Sequence, residues 1–192
     1  QFQAGDMHFV DFNGDGVINE SDRTVIGNPN PDIYGNIFTN LQWRRLRLAV
    51  NFKYSLGGDI YNYQRSLIEG GFNFYNQTTA MCHRWTTEGQ VTDIPRTTYG
   101  DPMGNSRFSD RWIEDGSYLR LSTVTLSYEL PINNRYIQGF TVWAQGGNLF
   151  TLTRYLGTDP ETAISSNILT QGIDRGLLSA GRNFSLGVKI NL

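Results

Sequence analysis

At 192 residues and a formal net charge of −2, the chain has no basic field for holding nucleic acid or an anionic membrane surface. Apolar residues make up 39%, yet aromatics reach 13% and glycines number 21, a balance that suits a β-rich protein with long loops. No apolar run of about eighteen residues exists, which excludes a transmembrane helix and leaves spanning by strands open.

Cys82 stands alone, so no disulfide forms within the chain. The opening Gln1-Phe2-Gln3-Ala4 has neither an initiator Met nor a signal-peptide pattern, as expected of a fragment of a longer precursor. The first element is the loop Asp11 to Asp22. Side chains bearing oxygen occupy its positions 1, 3, 5, 9 and 12 as Asp11, Asn13, Asp15, Asn19 and Asp22. Gly16 marks the sharp turn, Val17 offers its carbonyl, and Ile18 is an apolar plug. This is the ligand spacing of an EF-hand-type loop, and it predicts Ca²⁺ on those six residues, because the ion takes several hard oxygens at flexible geometry. Position twelve is Asp22 rather than Glu, which shortens the reach of a bidentate ligand. The same Asn/Asp/Gly composition also makes turns that need no ion.

Asn28-Pro29-Asn30-Pro31 is read as an extended connector, since its prolines deny ladder and helix hydrogen bonds. From Tyr34 the period becomes two. Ile37, Thr39, Leu41 and Trp43 oppose Asn36, Phe38, Asn40 and Gln42. Arg44-Arg45 reverses the chain, and Leu46, Leu48, Val50, Phe52 and Tyr54 then alternate with Arg47, Ala49, Asn51, Lys53 and Ser55. Each arm has about ten residues, the length of a tilted strand that crosses a bilayer. The stretch 57–117 is irregular, with short helices predicted around Ile60–Ile68 and Gln77–Trp85; a connection this long is expected to be functional. Tyr118 to Leu130 resumes the alternation, and a phase slip near Ser122-Thr123 predicts a β-bulge. Pro131-Ile132-Asn133-Asn134 opens a short turn into a strand that starts at Phe140 and runs to about Phe150. After a second long loop, 151–182, the last strand sets Phe184, Leu186, Val188, Ile190 and Leu192 against Ser185, Gly187, Lys189 and Asn191.

Short turns follow the first and third strands, and long loops follow the second and fourth. That sorting belongs to an outer-membrane barrel, with short periplasmic turns and long outward loops. The predicted organisation is therefore an outward loop with the calcium motif over 1–33, then barrel strands over 34–192 with long loops 57–117 and 151–182.

Several stretches carry a family resemblance: Asp11 through Gly16, Arg23 through Pro31, Gly58-Asp59-Ile60-Tyr61-Asn62, Arg84-Trp85-Thr86, Ser109 through Leu121, and Gly147-Asn148-Leu149-Phe150-Thr151. In order and spacing they resemble the C-terminal part of SusC/RagA-type TonB-linked outer-membrane proteins, over nearly the whole chain. The resemblance implies an all-β fold, an antiparallel transmembrane β-barrel segment forming the last five or so strands of a plugged barrel of roughly 22 strands. It implies import of oligosaccharides or peptides with a SusD-like surface lipoprotein as lid. The TonB complex would act through the missing N-terminal part, and no enzyme activity is implied. Such proteins usually end in an aromatic residue, whereas this chain ends in Leu192.

Leu46, Leu48, Val50, Phe52, Phe184, Leu186, Val188 and Ile190 are expected to face membrane lipid, with Trp43 and Tyr54 in interfacial girdles. Asn36, Asn40, Arg47, Asn51, Lys53, Lys189 and Asn191 would face the plug or the solute path. The alternative is a soluble calcium-binding β-sandwich, a surface or carbohydrate-binding module whose apolar face lies in a core. Tyr61, Tyr63, Phe72, Phe74, Tyr75 and Trp85 are expected to contact a glycan or peptide substrate, or the lid, or to pack the loops together. Arg107, Asp110, Arg111, Glu114 and Asp115 read as a salt-linked loop base. His8 and His83 have no partner at zinc spacing, Cys82 beside His83 is discounted as a nucleophile pair, and no catalytic constellation or phosphate loop is found.

Overall fold

The computed structural model describes residues 3–132, 136–161 and 170–191. In chain order its strands and helix are β1 (Ile33–Trp43), β2 (Leu46–Leu56), β3 (Asp59–Asn62), α1 (Tyr63–Glu69) and β4 (Ile113–Asp115). They continue with β5 (Tyr118–Leu130), β6 (Gly139–Thr153), β7 (Ile173–Asp174) and β8 (Asn183–Asn191). The five long strands form one antiparallel sheet in the order β1-β2-β5-β6-β8, and β4-β3-β7 form a small second sheet. No described helix is long and apolar enough to cross a membrane.

Register explains why the large sheet has two unlike faces. One row of partners runs Leu41, Leu48, Leu126, Ala144 and Leu186 across all five strands. The row beside it runs Trp43, Leu46, Tyr128, Val142 and Val188. The opposite face carries Asn40, Ala49, Thr125, Gln145 and Ser185, then Asn36, Lys53, Arg120 and Thr151. The apolar face is uncovered: Leu186 is 85% exposed and Val188 62%. A sandwich would bury these side chains against a second sheet, so the soluble alternative fails on this point.

Two irregularities keep the faces in phase. Asn51 pairs with Thr123 and Phe52 with Leu121, so Ser122 is the extra residue of the bulge expected there. It moves Leu119 and Leu121 onto the apolar face, although Val124 and Leu126 have the other parity. On β6, Leu121 meets Phe150 and Thr123 meets Gly147, which sets Asn148 and Leu149 against the single Ser122, one residue more on β6 than on β5. Asn148 takes φ 51°, the left-handed region that Asn tolerates better than most residues. The hairpin between β1 and β2 turns at Arg44, φ 54°, whose guanidinium lies 5.3 Å from the Trp43 ring centroid.

Other expectations are corrected. The predicted helix Ile60–Ile68 begins as strand β3 and becomes helical only at Tyr63, where Asn62 caps it by accepting the Arg65 amide at 2.9 Å. Gln77–Trp85 makes only a 3₁₀ turn, Thr79–His83. Strand β6 extends to Thr153, three residues past the expected end. Asn133, Asn134 and Leu192 lie outside the described residues.

The chain forms two compact units that interleave in sequence. One comprises Gln1–Pro29, Asp59–Glu114 and Ala163–Leu177; the other comprises Asn30–Gly58, Asp115–Thr162 and Leu178–Leu192. The second is the large sheet. The first is held by polar contacts more than by grease. Its N-terminal segment is stapled by Arg96, which donates to Asp6 Oδ1 at 2.6 Å and Oδ2 at 3.1 Å, and to Gln3 Oε1 at 2.9 Å. Asn105 Nδ2 donates to the same Asp6 at 3.0 Å, and Asn105 Oδ1 accepts the Met7 amide at 2.9 Å. Burial works to raise the Asp6 carboxyl, but the bonds from Arg96 and Asn105 outweigh it and hold it below the ordinary range.

Two outcomes follow in the full-length protein. Deleting Ser122 leaves Leu121 beside Thr123 in unbroken alternation, so Leu119 and Leu121 keep the apolar face and the thermal midpoint is expected to stay near the parent's. Inserting one residue after Thr125 instead throws Leu126 and Tyr128 onto the polar face and is expected to destabilise the sheet by at least about 2 kcal/mol. The Asp6 staple is fully present above the ordinary carboxylate pKa of about 3.9 and weakens as pH falls through the lower folded value. Limited proteolysis of the N-terminal segment is therefore expected to accelerate in acid, and Asp6→Asn is expected to cleave readily at neutral pH as well.

Candidate functional site

The N-terminal loop is built around Asp11. Its Oδ1 accepts the Gly14 amide at 2.7 Å and its Oδ2 the Gly16 amide at 2.8 Å. The chain doubles back to allow this at Gly14 (φ 73°) and Gly16 (φ 80°), where a side chain would be strained. Asp15 Oδ1 accepts the Val17 amide at 2.8 Å, and Asn13 Nδ2 donates to Asp15 Oδ2 at 2.9 Å. Asn19 Nδ2 donates to the Val17 carbonyl at 3.2 Å. Asp22 closes the loop, accepting the Asn19 amide at 2.8 Å and the Phe12 amide at 3.0 Å. The Asn19 amide chiefly, helped by that of Phe12, holds the Asp22 carboxyl below its ordinary range despite desolvation. All six expected ligand residues thus share one wrapped loop, with their carboxylates turned to backbone amides. Among the described residues no three of His, Cys, Asp and Glu gather closely enough to hold a metal.

The six expected contact aromatics divide into two groups. Tyr61 packs edge-on against Phe108 at 4.8 Å and lies 6.0 Å from Tyr63. Phe72 is half-buried, its carbonyl accepting the Gly100 amide at 2.9 Å. Trp85 is half-buried too, with its ring laid over Gly5. Tyr63, Phe74 and Tyr75 are exposed. Phe74 stacks on Tyr99 at 4.8 Å and 24°, and the pair stays open to solvent at 89% and 70%. Nothing in the sequence marked Tyr99 or Phe108, because neither sits in a periodic segment.

The expected loop base forms only in part, and around residues of wider origin. Trp112 is fully buried and donates its indole N–H to the Arg107 carbonyl at 3.1 Å. The guanidinium groups of Arg111 and Arg65 lie 4.3 Å and 5.3 Å from its ring centroid. Arg65 pairs with Glu114, with Glu69 at 2.9 Å, and with the Arg111 carbonyl at 3.1 Å. Burial opposes the Arg65 charge, but Glu114 and Glu69 outweigh it and keep its pKa above the ordinary value. Arg111 is held down to about 10, first by burial and then by the Arg65 charge beside it. Arg107 turns away to the carbonyls of Gly104 (3.0 Å) and Met103 (3.1 Å). Asp115 accepts the Ser117 amide at 2.9 Å. The five charged residues therefore do not converge as one cluster; Arg111 and Glu114 join Arg65 and Glu69, whose part the sequence did not reveal.

On the polar face of the large sheet a second ionic group forms. Arg120, 4% exposed, donates to Thr151 Oγ1 at 2.9 Å, to Glu161 Oε2 at 2.6 Å and to Asp159. Lys53, its neighbour across the ladder, pairs with Glu161. Lys53 was expected on this face; Asp159 and Glu161 come from a loop with no periodic signal.

No family model matches the chain. TonB-dependent receptor P3 of Formosa agariphila is 32% identical over 193 residues, covering 95% of this chain and 18% of the receptor. TonB-dependent receptor SusC of Bacteroides thetaiotaomicron is 27% identical over 194 residues, covering 95% of the chain and 17% of the receptor. The RagAB peptide importer in its 'closed-closed' state superposes with a TM-score of 0.73 at 25% identity, covering 86% of this chain and 18% of the importer chain. The chain thus spans about a fifth of the length of the curated relatives it matches. These relatives are receptors and an importer rather than enzymes, and the sheet with its two unlike faces is a piece of their barrel wall. Over nearly its whole length the chain is thus similar to a barrel segment of TonB-dependent receptors, SusC and the RagAB importer among them.

Proposed function

We propose that this chain is the C-terminal wall of an outer-membrane, TonB-linked importer of oligosaccharides or peptides that works with a SusD-like lipoprotein lid. The observation that carries the reading is the uncovered apolar face, continuous over five strands from Leu41 to Leu186, backed by a polar one. Lipid is the solvent such a face requires, while closed ladders hide the backbone polar groups from hydrocarbon. Asn36, Arg47, Lys53 and Lys189 then line the plug or the solute path. The two long loops leave from the same end of the sheet as each other, where cargo and lid would meet them. Tyr63, Phe74 and Tyr75 offer exposed ring faces to either, whereas Tyr61, Phe72 and Trp85 stiffen the loops behind them. A peptide cargo is favoured by likeness to a peptide importer.

We further propose that the loop Asp11 to Asp22 takes Ca²⁺. Support comes from the ligand spacing and from the grip of Asp11 on the Gly14 and Gly16 amides, which already wraps the loop. Each Asp11 oxygen keeps a lone pair beyond that amide bond, while Asp15 and Asn19 would exchange loop contacts for the ion.

The wall reading is tested in cells expressing the full-length receptor. Leu126→Arg places a charge mid-strand on the apolar face, at a cost of about 2–4 kcal/mol, and is expected to remove the receptor from the outer-membrane fraction along with cargo uptake. Thr125→Arg, one residue away on the polar face, is expected to assemble normally. Equal assembly of the two variants would remove the wall reading. For the metal, calorimetric titration of the purified receptor is expected to show Ca²⁺ heats that vanish in Asp11→Ala with Asp15→Ala; equal heats would exclude the ion.

A further inference from the structure

We propose that the turn between β1 and β2 holds the phosphate of a phospholipid headgroup, gripped by Arg44 and Arg45 beside the ring of Trp43. The inference rests on the wall reading above and gives the short-turn end of the sheet a ligand. It starts from the backbone. A two-residue hairpin turn with a positive φ at its first residue ordinarily places Gly there, because a side chain is strained in that region. This turn places Arg44 there, at φ 54°. Gly would serve the reversal alone, so the strained Arg points to a use for its guanidinium.

The surroundings say what that use is. Trp43 shares a row of the apolar face with Leu46, Tyr128, Val142 and Val188. Trp43 is 70% exposed and Tyr128 42%. Two open aromatic rings in one row, at the short-turn end of an apolar face, mark where hydrocarbon gives way to headgroups. The Arg44 guanidinium lies 5.3 Å from the Trp43 ring centroid, so its charge stands at the level of that girdle. Arg45 is exposed next to it, and its carbonyl accepts the Glu129 amide at 2.9 Å, which pins the turn to β5. Among the described residues neither guanidinium forms an ion pair, whereas Arg65, Arg96 and Arg120 all meet carboxylates.

Phosphate is the anion that a phospholipid carries at that depth. The planar guanidinium fork matches it with two parallel hydrogen bonds, which an ammonium does not offer. Two arginines with open donors are therefore complementary to the headgroup in both charge and shape. The acyl chains then lie along Leu46, Leu48 and Val50 of the same face, and the amphipathic ring of Trp43 bridges the two regions.

The test places the full-length receptor in vesicles of phosphatidylethanolamine and phosphatidylglycerol. Light then activates one of two diazirine-bearing phosphatidylglycerols, one with the diazirine on the headgroup and one with it deep in an acyl chain. Labelled peptides are mapped by mass spectrometry. Arg44→Gly with Arg45→Gln removes both guanidinium groups and relieves the positive φ, so the turn is expected to form as it does in the parent. Headgroup labelling of the β1–β2 turn is expected to fall at least about fivefold in this variant, with acyl-chain labelling of residues 46–50 unchanged. Equal headgroup labelling of parent and variant would overturn the phosphate site. So would a parent whose turn takes no headgroup label while its β2 takes the acyl probe. A parent whose β2 takes no acyl label would instead sink the wall reading.

Discussion

A barrel-wall sheet with one apolar and one polar face depends on register. Side chains alternate strictly along a strand, so a slip of one residue in any ladder would exchange the apolar and polar groups along that strand. The rows through Leu48 and Leu186 and through Thr125 and Gln145 hold because all four ladders agree. Where the alternation of β5 breaks, Ser122 is the extra residue against β2, and Asn148 and Leu149 of β6 together face it, so phase is recovered on both sides of the defect.

The same constraint explains the small apolar core. Among the described residues the buried hydrophobic set is Ile60, Met81, Trp112, Tyr118 and Tyr155. A protein whose largest apolar surface is turned outward cannot also gather it inside. Stability in the first unit therefore leans on directional contacts: the Arg96–Asp6 staple, and the guanidinium groups of Arg65 and Arg111 stacked on buried Trp112. Such contacts are strong only when complete, since a buried charge left without its partner is costly. They also fix loop geometry sharply around the exposed rings of Tyr63, Phe74 and Tyr75.

Charge is distributed by a related logic. Lys53 and Arg120 on the large sheet meet Glu161 and Asp159 of the loop after β6, and the Arg120–Asp159 pair at the centre of that contact is buried. The N-terminal loop spends its carboxylates on its own amides, which preshapes it without apolar packing.

How much could be read without coordinates follows from the range of each interaction. The five long strands, the bulge at Ser122 and the two faces were legible because a period of two is a local signal, repeated over ten residues or so in each segment. The wrapped Asp11 loop was legible for the same reason, its partners lying within eleven positions of one another. The short strand at Asp59 was misread as helix because its parallel partner, Ile173–Asp174, is more than a hundred residues away and leaves no trace in local pattern. The pairing of Arg65 with Glu114, of Arg96 with Asp6 and of Arg120 with Asp159 was equally hidden. Sequence by itself determined which side chains could meet lipid; only tertiary structure decided which charges meet each other, because alternation is a property of a strand and an ion pair is a property of two distant segments brought together.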